Sequence, residues 1–306
     1  MPGIGIITNP HSKLNKGNSH REKLLSYIVG EQGSQKTTHN INDLEKSLQH
    51  FYKQDIDILA INGGDGTISC TLTTLIQTYK DKPLPKILIL PGGTINTLAQ
   101  NLSIRGTPEK ILFQALKKHS SPSSLRCRSL PSIEVKNHHG FMFASGACAH
   151  FLETFYKNKT NALGSLWLVA KIIFSKLTSG SLYNRVVRSQ LYELHIEKRG
   201  LIKHHSCSIL CSSLRNLPLG IPYFRNINKT PQAFELSSVT TSPNKLPWKL
   251  PSLIFKKKSD DKVNITCKNI TIKSESEINY TLDGELFSTT DPLEVKVGKF
   301  IDFIIL

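Results

Sequence analysis

No stretch of this sequence approaches the roughly 18 to 20 uninterrupted apolar residues of a membrane-spanning helix, so a spanning role is not expected. The N-terminus, Met1-Pro2-Gly3-Ile4-Gly5, lacks the charged region of a signal peptide, and the protein is expected to start as written. Cysteine is sparse. Cys70, Cys127, Cys148, Cys207, Cys211 and Cys267 are scattered without a framework, which fits a reducing compartment. The cluster from His204 to Cys211 has no second ligand pair at a zinc-like spacing; His205, Cys207, Ile209 and Cys211 alternate as one face of a strand would. Acidic residues are also few. With 23 Asp+Glu against 39 Lys+Arg the net charge is +16, which favours anionic partners. Helix-turn-helix, zinc-finger and aromatic ribonucleoprotein patterns are missing, so nucleic acid is not the expected partner; a membrane surface or a phosphorylated substrate fits better.

At 306 residues and 39% hydrophobic content, the chain is sized for about two domains with a core each. In its first third, strand-like and helix-like segments alternate. Ile4 to Thr8, Ile56 to Ile61 and Lys86 to Leu90 read as apolar strands, and Gly17 to Ile28 is helix-compatible. Further helices are predicted over about Ile68 to Tyr79, Ile95 to Asn101 and Pro108 to Lys118. Continuous apolar strands bounded by βα turns argue for a parallel sheet covered on both faces, with ligands at the carboxyl ends of its strands. Asn9, Gly63 to Thr67, and Gly93-Thr94 all fall at such ends, so three loops converge on one crevice.

The stretch Asn62-Gly63-Gly64-Asp65-Gly66-Thr67 joins a strand to a helix start. Three glycines in four residues allow positive φ and close backbone approach, so N–H groups can point at an anion beside the helix N-terminus. Asp65 would repel bare phosphate, and it makes sense where Mg²⁺ accompanies a nucleotide. A tight βα turn with an Asp cap is the alternative reading.

The Ser/Pro-rich run Ser120 to Ser124 reads as a linker, which gives a first domain over 1–122 and a second over 123–306, the extreme C-terminus packing back on the first. Beyond the linker come short β-branched and aromatic runs: Ile133 to Val135, Phe141 to Ala144, Gln190 to Ile196, Cys207 to Cys211, Phe234 to Val239, Val263 to Cys267 and Ile270 to Lys273. They predict a mostly antiparallel β domain, a sandwich or an open barrel. Ala162 to Leu177 interrupts this pattern with helical spacing, as a helix packed on the sheet or one docked on lipid. Leu246 to Lys258, with Trp248 and a basic end, reads as a membrane-interface segment or as an irregular loop with a solvated charge run. Asp283-Gly284 between two apolar runs is a strong hairpin signal.

Taken together, Asn9-Pro10-His11-Ser12, Gly63-Gly64-Asp65-Gly66-Thr67, Pro91-Gly92-Gly93-Thr94-Ile95-Asn96-Thr97-Leu98-Ala99 and Leu282-Asp283-Gly284-Glu285 resemble the diacylglycerol kinase catalytic domain family, which includes bacterial lipid kinases and sphingosine kinases. The resemblance spans nearly the whole chain. It implies an α/β N-terminal nucleotide domain with a mostly parallel sheet, like the phosphofructokinases and NAD kinases, an all-β C-terminal sandwich, and a cleft between them where ATP and lipid meet. It further implies nucleotide contacts at Asn9, Thr38, Gly63, Gly64, Asp65, Gly66, Thr67, Gly93, Thr94 and Asn96, with Asp65 holding Mg²⁺ through water. Catalysis is assigned to Asp65 and to Asp283 or Glu285, one of which takes the proton of a lipid hydroxyl as it attacks the γ-phosphate of ATP. Asp283 is narrowly favoured. A cytoplasmic protein in peripheral contact with an anionic membrane surface is expected.

The chain departs from the family at several points. Thr97 follows Asn96 where many members carry Asp, and Ser12-Lys13 replaces a Ser-Gly pair. Gly146-Ala147-Cys148-Ala149 resembles a glycine-containing strand but lacks the usual upstream Asn. Asn226 to Leu236 offers one carboxylate where bacterial members bind a structural Mg²⁺, so that site is expected to be lost or weak. Two alternatives to the lipid kinase stand: a soluble-substrate kinase of the NAD kinase type, and a catalytically impaired homologue that binds membranes.

Overall fold

The computed structural model describes residues 3–80, 82–119, 125–157, 171–172, 174–176, 181–197, 199–227, 230–255 and 260–306. The chain divides into two compact units, one of Met1–Leu130, Pro218–Gly220 and Lys299–Leu306, the other of Pro131–Leu217 and Ile221–Gly298. The expected linker at Ser120 to Ser124, and most of the helix expected over Ala162 to Leu177, lie outside the described residues.

The first unit is a parallel α/β layer. Its elements are β1 (Ile4–Thr8), α1 (Ser19–Val29), β2 (Gly33–Thr37), α2 (Ile41–Gln54), β3 (Ile58–Gly63), α3 (Asp65–Tyr79), β4 (Lys86–Pro91), α4 (Thr97–Asn101) and α5 (Pro108–His119), with β5 (Arg126–Val135) leaving it. β1 pairs in parallel with both β2 and β3, and β3 with β4. Every residue of β1 and β3 is buried, as expected for strands covered on both faces. On one face Leu25, Val29, Ile111, Leu112 and Ala115 of α1 and α5 pack against Ile4, Ile6, Ile58 and Leu88. On the other, Phe51 of α2 presses so close to β1 that a Cβ on Gly5 would lie 3.0 Å from its ring. The last strand of the chain, β18 (Leu293–Ile305), completes this sheet: Phe303 pairs in parallel with Ile87.

β2 and α2 were not anticipated. β2, Gly-Ser-Gln-Lys-Thr, is polar and only half-buried, so it carries no hydrophobic pattern. α2 does have one. Asn40 caps its start by accepting from the Asp43 N–H, and Leu44, Leu48 and Phe51 are buried at helical spacing.

The second unit is an antiparallel sandwich. One sheet runs β14 (Lys262–Cys267), β13 (Phe234–Val239), β10 (Ser208–Ser212), β7 (Met142–Gly146), β16 (Ile278–Leu282), β17 (Glu285–Thr289). Facing it are β15 (Asn269–Lys273), β8 (Gln190–Ile196) and β9 (Gly200–Ser206), paired antiparallel in that order, with Leu293 to Lys296 of β18 beyond β15. β6 (His138–Gly140) folds back on β5, and Asn216–Leu217 (β11) and Ile221–Pro222 (β12) form a small hairpin. Ile133, Tyr192, Leu194, Ile270 and Val295 meet Phe143, Ile209, Phe234, Leu236 and Tyr280 in the core.

Three expectations change here. Gly146 ends β7 and Ala147 opens a helix, α6 (Ala147–Lys157), so the 146–149 run is a strand-to-helix corner. A second helix, α7 (Ser181–Val186), packs beside it. The run from His205 to Cys211 is not one strand face: the chain passes from β9 to β10 at Cys207, which sits with the helices while Ile209 and Cys211 enter the core. Finally, Leu246 to Phe255 is a helix, α8, with Pro251 inside it.

Candidate functional site

The three glycine-bearing and asparagine-bearing motifs of the first unit meet at the carboxyl ends of β1, β3 and β4. α3 opens directly from β3 with Gly64 as N-cap, and no side chain caps it. Its first N–H groups have no intrahelical partners, and the positive end of a fifteen-residue helix dipole points the same way, which makes an anion seat.

The glycines of this seat are needed for closeness. Gly63, Gly64, Gly66, Gly92 and Gly93 are not among the positive-φ glycines, which corrects the expectation drawn from Gly63 to Gly66. A Cβ on Gly93 would stand 2.6 Å from the Gly64 Cα, and one on Gly63 would stand 2.5 Å from the Thr67 side chain. The Gly92 N–H donates to the Gly63 carbonyl at 2.8 Å. The two turns therefore touch backbone to backbone. Around Gly66 the space is open, so it is the part of the loop with room for a guest.

Asp65 does something that its sequence context hid. Its Oδ2 accepts from the Thr97 N–H at 3.0 Å and its Oδ1 from the Leu98 N–H at 3.3 Å. It thus caps α4, a helix whose own N-cap residue, Asn96, makes no side-chain cap. Asn96 is left-handed at φ 52 and folds its amide back on the second turn, accepting from Gly93 N–H and donating to the Gly93 carbonyl. Thr94 is exposed beside it.

Asn9 ties the first motif to the same loop. Its N–H donates to the Asn62 carbonyl at 3.0 Å and its Nδ2 to the Thr67 hydroxyl oxygen at 2.8 Å, while its Oδ1 accepts from the His11 N–H. The Thr67 hydroxyl keeps its proton to donate. Asn15, which the sequence reading missed, donates Nδ2 to the carbonyls of Asn9 and Asn62 and so holds this loop down. Thr38 follows β2, with its N–H on the Thr8 carbonyl and its side chain buried. The neighbouring His39 ring meets His11 edge to face at 5.7 Å.

The fourth motif belongs to the second unit. Asp283 (φ 48) and Gly284 (φ 98) form the tight turn of the β16–β17 hairpin, and Leu282 pairs with Glu285 across it. The Asp283 carboxylate is committed: Oδ1 accepts from Met142 N–H at 2.8 Å and from Phe141 N–H at 3.0 Å, the latter shared with Oδ2. Glu285 is different. It reaches the surface, yet surrounding protein withdraws enough water to push its carboxyl above the usual carboxylate range, against a smaller opposing pull from His138. Tyr156 of α6 donates its hydroxyl to the Gly284 carbonyl at 2.8 Å, and its own pKa is raised by burial and then by the Glu285 charge. Neither His138 nor Tyr156 carries a motif, and no sequence signal marked them.

Elsewhere in this unit, Glu235 is buried, with its carboxylate accepting from the Asn226 N–H and Nδ2. The nearby Lys262 amine is pushed below its ordinary value by burial and then by Arg225, with Glu235 opposing. One carboxylate bonded to an amide, with an amine near enough to feel its charge, is a different arrangement from an oxygen cage for a hard cation. The Cys207 thiol donates to the Thr241 carbonyl, and burial raises it to about 11, which disfavours a metal-binding thiolate.

Residues 4–126 match the family described as the diacylglycerol kinase catalytic domain. Among curated relatives, a Staphylococcus aureus (strain Newman) protein named "Putative lipid kinase" is 26% identical over 272 residues, covering 84% of this chain and 81% of its own length. Its counterpart in strain MRSA252 is 25% identical over 271 residues. A solved structure of a diacylglycerol kinase from Bacillus anthracis str. Sterne superposes with a TM-score of 0.70 at 15% identity, over 99% of this chain and 96% of that one. This likeness establishes the shared fold of a diacylglycerol kinase, an α/β domain followed by a β-sandwich.

Proposed function

We propose that the protein is an ATP-dependent lipid kinase that transfers the γ-phosphate to a lipid hydroxyl. The observation that carries this reading is the uncapped N-terminus of α3, walled by two glycine turns in backbone contact and edged by Asn9, Thr67 and Thr94. Phosphoryl transfer needs little covalent chemistry from a protein, so positioned N–H donors supply most of what is required. The Thr67 hydroxyl adds a donor from the side, and open space at Gly66 lets phosphate oxygens approach the amides.

Asp65 fits Mg²⁺ as a single carboxylate ligand. Each oxygen is used by one N–H and keeps a lone pair, and Mg²⁺ commonly binds one or two carboxylates while retaining several waters. Bound there, the ion would neutralise charge on the phosphate oxygens. The proton of the attacking hydroxyl goes to a carboxylate of the Asp283-Gly284-Glu285 turn. The contacts favour Glu285 as acceptor, because burial pushes its carboxyl up while it still reaches the surface, and Asp283 as the residue that fixes the turn.

Incubation with a total lipid extract and γ-labelled ATP, followed by identification of the labelled product, tests this reading. A labelled lipid is expected. Label on NAD supplied as a competing acceptor would favour the soluble-substrate kinase; absence of both label and nucleotide binding would overturn the kinase reading.

A further inference from the structure

Beyond the reaction itself, we infer that α8 docks the protein on an anionic lipid bilayer through the face made by Trp248, Pro251 and Phe255. α8 is apolar on two sides. Leu246 and Leu253 turn inward against Tyr223, Phe224 and Leu210, so the helix is anchored without using its outer face. On that outer face Trp248 is 75% exposed and Phe255 66%, with Pro251 exposed between them at the three- and four-residue spacing of one helical stripe. The Arg225 guanidinium donates to the Phe255 carbonyl at 2.7 Å and fixes the end of the helix that carries Phe255.

Charge chooses the occupant. In the sequence, Lys245, Lys249, Lys256, Lys257 and Lys258 fall within or next to the segment 246–255, and no acidic residue occurs between Asn244 and Ser259. Lys249 is paired with Asp261 at 3.0 Å; in the sequence Lys245 directly precedes the helix and Lys256 to Lys258 directly follow it. Two aromatics and a proline on ten residues, about 15 Å of helix, give far less area than the roughly 800 Å² per partner of a stable protein interface. They suit the headgroup boundary of a membrane, where Trp is enriched and each nearby lysine adds attraction to anionic lipid. Among the described residues no helix is long and apolar enough to cross a membrane, so this contact lies on the surface.

Co-sedimentation of the whole protein with phosphatidylcholine vesicles, with and without about a third phosphatidylserine, tests the inference in the absence of ATP. Binding that needs phosphatidylserine is expected, with a loss of about tenfold or more in the W248S/F255S variant and a comparable loss at 1 M salt. Far-UV circular dichroism and melting of that variant should match the parent. A stable variant that binds vesicles as well as the parent would overturn the inference. So would equal binding to neutral vesicles, or an α8-dependent change of oligomeric state without vesicle binding. Because ATP is not involved, a failure here is separate from a failure of the kinase reading.

Discussion

Asp65 serves two masters through the same two oxygens, the α4 amides and the metal-bearing nucleotide proposed for the loop. Asp65→Asn keeps one acceptor and loses the charge. Melting should fall by about 1 kcal/mol of stability as the cap weakens, and the Mg²⁺ dependence of ATP affinity should disappear when both are measured on the purified variant. At the turn of the hairpin, Asp283→Asn leaves an Asn-Gly turn but removes an acceptor from the Phe141 and Met142 amides, costing about 1–2 kcal/mol. Activity loss in that variant therefore has to be read beside its melting curve. Glu285→Gln is the cleaner probe: a loss of about 10²–10⁴ in kcat is expected if Glu285 takes the proton. Its carboxyl is raised, so it is protonated at a higher pH than an ordinary Glu. The parent's acid limb of kcat/KM should accordingly lie above the usual carboxylate range and vanish in Glu285→Gln, and replacing His138 by Ala should move it further up.

Elements, more than residues, made the site legible. The apolar strands β1, β3 and β4 end at Thr8, Gly63 and Pro91, and a parallel sheet forces whatever follows them to one edge. That is why the order of the motifs already announced a shared crevice. β2 could not be read, because a half-buried edge strand of Ser, Gln and Lys obeys no apolar period. α6 was hidden for another reason: Ala147 to Lys157 follows a strand directly, and its aromatic Phe151, Phe155 and Tyr156 suit strand and helix equally. The roles of Asp65 and Asn15 were illegible because their partners are backbone groups of residues distant in sequence. The contact between the two glycine turns predicts that Gly93→Ala will cost about 1–3 kcal/mol and abolish ATP binding, since a methyl group would meet the Gly64 backbone, which cannot swing aside. Calorimetric titration with ATP checks it.

At the scale of the whole molecule, the chain returns to where it began. Ile301, Phe303 and Ile304 are fully buried in the unit built from the first 130 residues, and Phe303 pairs beside Ile87. A fragment ending at residue 298 is therefore expected to lose the cooperative melting of its first unit and the ATP binding proposed for it, which calorimetry on the truncated chain would reveal; an unchanged transition would refute the dependence.

The glycine wall has a kinetic corollary. A surface made of two backbones in contact, with Asp65 and Asn96 bonding it at both ends, has few rotamers to freeze when a guest arrives. Its capture of phosphate should resemble insertion into a finished mould: single-phase association without a slow isomerisation, and little entropy surrendered by the host.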